Sequence, residues 1–240
     1  MRLKDKVAIV TGGGRGIGRA IALGFAKEGA KIVVAARTES QIRHVAELVQ
    51  ASGCEALSVV CDVSSEPDVR DLVAGVLHAF SKVDILVNNA GISSLRPVWS
   101  IPVRSFERVL AVDLVGSFLC TKHVWRPMAE HGGGSMINVA SLAGTQGYPL
   151  LAAYCAAKWG QIGLTVACAE EGKPVNIRVN AIAPGKADTD FRGQLLEDKA
   201  QMLKAEDHVG VCVFLASDEA RYVSGQVISL DWFGPQGERP

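Results

Sequence analysis

Val7-Ala8-Ile9-Val10-Thr11-Gly12-Gly13-Gly14-Arg15-Gly16-Ile17-Gly18 is the stretch that decides the fold. Residues 7–11 are continuously apolar up to the threonine, which reads as a strand buried on both faces and not as a strand with one wet face. The glycines follow at once, and a helix is predicted over 16–29. The loop lacks the G-x-G-x-x-G spacing. Gly12, Gly16 and Gly18 instead give the wider form G-x-x-x-G-x-G. Glycines let a backbone turn tightly and approach a pyrophosphate, and a helix that begins there offers free N–H groups and a favourable dipole. A glycine loop by itself is equally a plain turn. Its place between a first strand and a first helix makes it a dinucleotide signal.

Outward from this point the same alternation recurs. Strands are predicted at 31–36, 56–61, 84–87, 135–140, 175–182 and 227–230. Helices are predicted at 40–52, 66–80, about 103–130, 152–170 and 205–216. The strand segments are again apolar almost throughout. Repeated strand–helix alternation implies right-handed βαβ crossovers. The expected fold class is α/β: a Rossmann-type doubly wound parallel sheet of about seven strands with helices on both faces. No Pro-, Gly- or Ser-rich linker interrupts it, so one dinucleotide-binding and catalytic domain over residues 1–240 is expected. The run Gly132–Gly134 reads as a helix terminator ahead of a strand.

Composition narrows the class. Lys plus Arg and Asp plus Glu number 25 each, so the chain is formally neutral, which removes the electrostatic reason to expect nucleic acid or an anionic membrane as partner. The six cysteines, at 54, 61, 120, 155, 168 and 212, form no C-x-x-C pair. No metal site or disulfide framework is expected, and the thiols read as small apolar core groups. No signal-type apolar segment follows Met1, so a cytoplasmic location is expected.

The end of the second strand bears on which cofactor is used. An acidic residue there would bond the adenosine ribose of NAD. The sequence has Ala36 followed by Arg37, and no carboxylate until Glu39. Arg37 offers a planar cationic fork to a 2′-phosphate, and Arg15 in the glycine loop adds a second charge. Either arginine alone is an ordinary solvated side chain. Together, with the acid missing, they point to NADP(H) over NAD(H).

The chemistry is read from Tyr154, Lys158 and Ser141. Tyr154 and Lys158 are four apart on a predicted helix and share a face. A lysine ammonium beside a phenol favours the phenolate and moves its pKa toward the working range. Ser141 follows the fifth strand, where its hydroxyl either caps the strand exit or meets a substrate oxygen. Geometry makes the combination persuasive. The glycine loop, Arg37, Asp62, Asn88-Asn89-Ala90-Gly91, Ser141 and Pro184-Gly185 each fall just past one of six strands. In a parallel sheet those ends share one rim, where ligands bind.

Over about residues 4–231 the chain resembles the short-chain dehydrogenase/reductase family. The resemblance rests on T-G-x-x-x-G-x-G at 11–18, N-N-A-G at 88–91, Ser141, Y-x-x-x-K at 154–158 and P-G-x-x-x-T at 184–189. It implies that Tyr154 is the acid–base residue, Lys158 binds the nicotinamide ribose and lowers the tyrosine pKa, and Ser141 positions the substrate oxygen. It also implies a cofactor set: Gly12, Arg15, Gly16, Ile17 and Gly18 in the loop, Arg37, Asp62 and Val63 at the adenosine end, Asn89, Ala90 and Gly91 along the cofactor, and Pro184, Gly185, Ala187 and Thr189 at the nicotinamide amide. A homotetramer packed through the long helix and the Tyr/Lys helix is implied as well, with a dimer as the lesser assembly.

The sequence departs from the family pattern at three places. Asp113 stands where the family has an asparagine whose backbone carbonyl holds a relay water, so Asp113 is a candidate fourth catalytic residue. The segment after Thr189 is short and charged. Asp231-Trp232-Phe233 replaces the common D-G-G. The implied activity is reversible hydride exchange between NADP(H) and a carbonyl or secondary alcohol carbon of a small molecule. The overall pattern most resembles 3-oxoacyl reductases, with sugar, polyol or simple alcohol dehydrogenases as the alternative. A catalytically retired NADP-binding module and a ligand-free structural oligomer are the non-enzymatic readings.

Overall fold

The computed structural model describes residues 1–187 and 202–232. Seven strands form one parallel sheet: β1 Val7–Thr11, β2 Lys31–Ala36, β3 Ala56–Val60, β4 Ile85–Asn88, β5 Gly134–Val139, β6 Ile177–Pro184 and β7 Val227–Leu230. Their spatial order is β3-β2-β1-β4-β5-β6-β7. The apolar runs have a direct physical cause. Successive strand residues point to opposite faces, and both faces are covered. Ala8 and Val10 join a core made with α1 (Gly16–Lys27), α2 (Glu39–Ala51) and α7 (Val209–Ala216). Val7 and Ile9 join a second core with α3 (Glu66–Phe80), α5 (Gly116–Glu130) and α6 (Ala152–Gly172). This is the doubly wound α/β architecture expected from the sequence.

The strand order positions the site. From β1 the chain runs outward through β2 and β3, then returns to lay β4 on the other side of β1. The connections leaving β1 and β4 therefore diverge, and a crevice opens at their carboxyl ends. Thr11, fully buried at the end of β1, holds this junction together. Its Oγ1 accepts from the Asn89 and Ala90 amides at 3.0 and 3.2 Å and donates to the Val87 carbonyl at 3.2 Å.

Element ends lie within two residues of the sequence-based expectation, as fraying termini do. One difference is internal. The stretch expected as a single helix over about 103–130 is α4 (Val103–Leu110), a π-helical turn over Ala111–Val115, and α5. A π turn inserts a residue without disturbing the apolar periodicity on either side, so the pattern does not register it. Its middle residue is Asp113, fully buried. The stretch expected as a helix over 205–216 opens as a 3-10 turn at Ala205–His208 before α7. Among the described residues no helix is long and apolar enough to cross a membrane.

Candidate active site

The crevice at the carboxyl ends of the strands has a volume of about 480 Å³. Its lining includes Gly12, Gly14, Arg15, Gly16 and Ile17 of the glycine loop, Arg37, Asp62 and Val63, Asn89 to Gly91, Ser141, Tyr154, Lys158, and Pro184, Gly185 and Ala187, whereas Gly18 packs behind the loop, where a Cβ would stand 2.3 Å from the Asn89 side-chain amide nitrogen. Candidate residues from six strand ends thus face one cavity. Thr189 lies outside the described residues.

The glycine-loop end fits a phosphate. Gly12 has φ +62°, and a Cβ there would stand 2.9 Å from the Ala90 Cα, so both conformation and space require glycine. Asn89 stiffens the turn, its amide donating to the Thr11 and Gly12 carbonyls at 2.9 and 3.1 Å. The first turn of α1 contains no acidic residue, and its N-cap Arg15 makes no side-chain capping bond. In α3, by contrast, Ser65 caps and Glu66 and Asp68 occupy the first turn. The positive end of the α1 dipole is thus left without an internal anion, as a phosphate-binding helix requires.

At the adenosine end, Asp62 is clasped. Its carboxylate accepts from the Ser64 amide and hydroxyl at 3.0 and 2.6 Å and from Arg108 at 2.9 Å. Burial pushes this carboxyl upward, but the bonds from Ser64 and Arg108 prevail and bring its pKa down to about 2. Arg37 stands 4.0 Å from the same carboxylate with its side chain largely exposed. Arg108, on α4, escaped sequence reasoning. Forty-six positions separate it from Asp62, and no local motif marks it.

Tyr154 and Lys158 share the buried face of α6, with the ammonium 5.6 Å from the centre of the phenol ring. Ser141 is both a cap and a cavity residue. Its Oγ accepts from the Ala143 amide at 3.1 Å, and its proton goes to the Pro184 carbonyl at a long 3.4 Å. A bond that long is readily exchanged for one to a ligand oxygen.

At Asp113 both the backbone carbonyl and the side-chain carboxyl are engaged. That carbonyl accepts from the Ser117 hydroxyl at 2.9 Å. It is the carboxyl that turns to the lysine, with Oδ2 3.7 Å from Lys158 Nζ and Oδ1 accepting from the Ile92 amide at 2.8 Å. A Cβ at position 91 would stand 2.9 Å from that Oδ2, which explains the glycine of N-N-A-G here. Burial moves both groups toward their neutral forms, and their mutual attraction opposes it. The Asp113 pKa is raised to about 6 and the Lys158 pKa is lowered. Sequence reasoning also missed Gln161 and Ser117. Both are polar residues at fully or nearly fully buried helix positions, a pattern that becomes legible only once the buried face is known.

The Asp113 shift has a measurable consequence. A carboxyl with an ordinary value of 3.8 raised to about 6 binds its proton more tightly in the folded than in the unfolded chain. Stability from this group therefore falls as pH rises between those values and is constant outside them. Asp113→Asn keeps the shape without the charge. Its urea-unfolding stability relative to wild type is expected to improve by about 2–3 kcal/mol between pH 4 and pH 7. A difference that stays flat across this range would mean that Asp113 does not titrate there.

Comparison with known proteins matches residues 6–200 to the family model described as short chain dehydrogenase. A 3-oxoacyl-[acyl-carrier-protein] reductase from Synechocystis is 38% identical over 95% of this chain and 96% of its own. A short-chain type dehydrogenase/reductase structure from Mycobacterium marinum superposes with a TM-score of 0.92 at 32% identity, covering 97% of both chains. An NAD+-bound xylitol dehydrogenase structure gives 0.91 at 33%, covering 97% of this chain and all of that one.

Proposed function

The chain belongs to the short-chain dehydrogenase family, and from that premise we propose a division of labour within its site, a preference for NADP(H), and an assembly. It is an oxidoreductase that works between a carbonyl and an alcohol carbon with a nicotinamide cofactor. Residues 1–240 act as one dinucleotide-binding and catalytic unit.

The observation that carries the proposed roles is the convergence of a phenol, an ammonium and a serine hydroxyl on the cavity that also holds the glycine loop. Gly12, Arg15, Gly16, Ile17 and Gly18 hold the pyrophosphate. Asp62 and Val63 flank the adenine, and Asn89, Ala90 and Gly91 line the path onward. Pro184, Gly185, Ala187 and Thr189 receive the carboxamide end. A bound nicotinamide supplies or accepts the hydride. Ser141 donates a hydrogen bond to the substrate oxygen and fixes its place. In reduction Tyr154 gives its phenolic proton to that oxygen, and in oxidation it takes the proton back. Lys158 holds the nicotinamide ribose and, through its charge, favours the phenolate. Asp113 sets the charge of Lys158 from the buried side.

NADP(H) is favoured because Arg108 already neutralises Asp62, which leaves Arg37 and Arg15 to a 2′-phosphate. A 3-oxoacyl thioester is the first substrate to test, supported by the reductase relative and by a cavity rim that includes Leu95, Pro149 and Leu151. A polyol is the second, supported by the xylitol dehydrogenase likeness. A homotetramer packed through α5 and α6 is supported by large apolar side chains exposed on them, Phe118 on α5 and Trp159 and Val166 on α6; such surface is rarely left bare in a monomer.

The test is NADPH oxidation across a panel of 3-oxoacyl thioesters, keto-sugars and simple ketones. Turnover of at least one member is expected, and a purified, folded protein that reduced none and oxidised none of the matching alcohols would sink the proposal.

A further inference from the structure

We propose that Gln161 is a positioning residue that holds the Lys158 ammonium off the Asp113 carboxylate and so keeps it available to the cavity. This rests on the proposed role of Lys158 at the nicotinamide ribose, in which Gln161 has no part.

Lys158 is 3% exposed, and its ammonium carries three protons. One goes to the Val139 carbonyl at 2.8 Å and one to Gln161 Oε1 at 3.0 Å. The third is contested between the cavity and Asp113. Asp113 Oδ2 is fully buried, accepts no hydrogen bond and lies 3.7 Å from Nζ. A charge-assisted bond between such groups normally closes to about 2.7–2.9 Å. In a site shielded from water the attraction is strong, and the lysine stem is flexible. A gap of this size therefore needs a restraint.

Val139 is one restraint and Gln161 the other. The Gln161 amide cannot simply turn around. Its Nε2 donates to Ser117 Oγ at 2.7 Å, and the Ser117 proton is committed to the Asp113 carbonyl at 2.9 Å. The direction of donation along Lys158, Gln161, Ser117 and the Asp113 carbonyl is thus continuous. Reversing the amide would place its NH2 against the ammonium and break the series. Gln161 is fully buried, so no water replaces it. Among the described residues Tyr154 is the titratable neighbour of the Lys158–Asp113 pair, its ring centre 5.6 Å from the ammonium. The loop after β4 presents backbone, the Ile92 amide and Gly91, and β5 presents the Val139 carbonyl.

The experiment needs no cofactor for its first reading. The Asp113 carboxyl is titrated by carbon-13 NMR in the free protein. Gln161→Met, similar in volume but without an acceptor, lets Nζ close on Asp113. The midpoint is expected to fall by about one pH unit, a tenfold change in proton affinity. Ser117→Ala, which removes only the support of the amide, is expected to move it the same way by less, and serves if the first variant does not fold. In the second reading, Gln161→Met raises the Kd for NADPH roughly tenfold when Asp113 is present and less than about threefold in an Asp113→Asn background, the non-additivity that marks a coupled pair. A midpoint unmoved in both variants, or an equal loss of affinity in both backgrounds, overturns the proposal. A moved midpoint in a protein that turns over no carbonyl supports Gln161 and overturns the proposed oxidoreductase chemistry. An unmoved midpoint in an active enzyme overturns Gln161 alone.

Discussion

Tyr154→Phe is expected to lower kcat by about 10³–10⁴-fold while changing the Kd for NADPH by less than about threefold. The variant removes one oxygen from a ring that stays packed on the buried face of α6, so the fold and the cavity keep their shape. It also removes the proton that must reach the substrate oxygen, and a positioned acid–base group contributes up to about 10⁴-fold. The neighbouring lysine cannot substitute for it. Two of its protons are held by the Val139 carbonyl and Gln161. Nor does Ser141, whose proton goes to the Pro184 carbonyl. A second phenol, Tyr148, also lines the cavity, and its oxygen accepts from Gln146 at 2.6 Å. Tyr148→Phe is therefore the control. Stopped-flow turnover together with fluorescence titration of NADPH separates chemistry from binding. Near-wild-type turnover in Tyr154→Phe, or a comparable collapse in Tyr148→Phe, would show that Tyr154 is not the acid–base group.

Arg37→Asp is expected to lower kcat/KM with NADPH by about 10²–10³-fold and to leave the value with NADH within about threefold. A hydrogen bond to a charged group is worth about 1.5–3 kcal/mol, and the substitution also places a carboxylate where a 2′-phosphate would come. NADH has no phosphate to lose or to repel. The size of the effect depends on a neighbour. Arg37 lies 4.0 Å from Asp62, but Arg108 makes the short contact at 2.9 Å, so Asp62 does not depend on Arg37 for its charge balance. Arg108→Ala should accordingly weaken NADPH as well, by less, because Arg37 would then be drawn to Asp62. Wild-type kinetics that favour NADH, or equal losses with both coenzymes in Arg37→Asp, would contradict the assignment of Arg37 to a 2′-phosphate.

Much of this molecule is written locally in the chain. Buried parallel strands need apolar side chains on both faces, so the runs at β1, β2 and β4 appear in the sequence as continuous hydrophobic stretches. A tight turn against a neighbouring backbone admits only glycine, so Gly12 announces its loop. Two residues four apart on a helix share a face, so Tyr154 and Lys158 could be paired before any coordinates. Strand-end positions line one rim whenever the strands run parallel, so the cavity could be assembled from the segment ends alone.

What the chain order does not contain are contacts made across the sheet and between helices distant in sequence. Arg108 meets Asp62, Ser117 meets Gln161, and Asp113 turns its carboxyl toward Lys158. Each depends on where a π turn rotates a side chain and on how α4, α5 and α6 pack together. Local propensity carries no record of these, because the same residues would be unremarkable on a solvated helix face. Only burial, by withdrawing water, makes an unshared oxygen or a lone ammonium costly enough to dictate its partner.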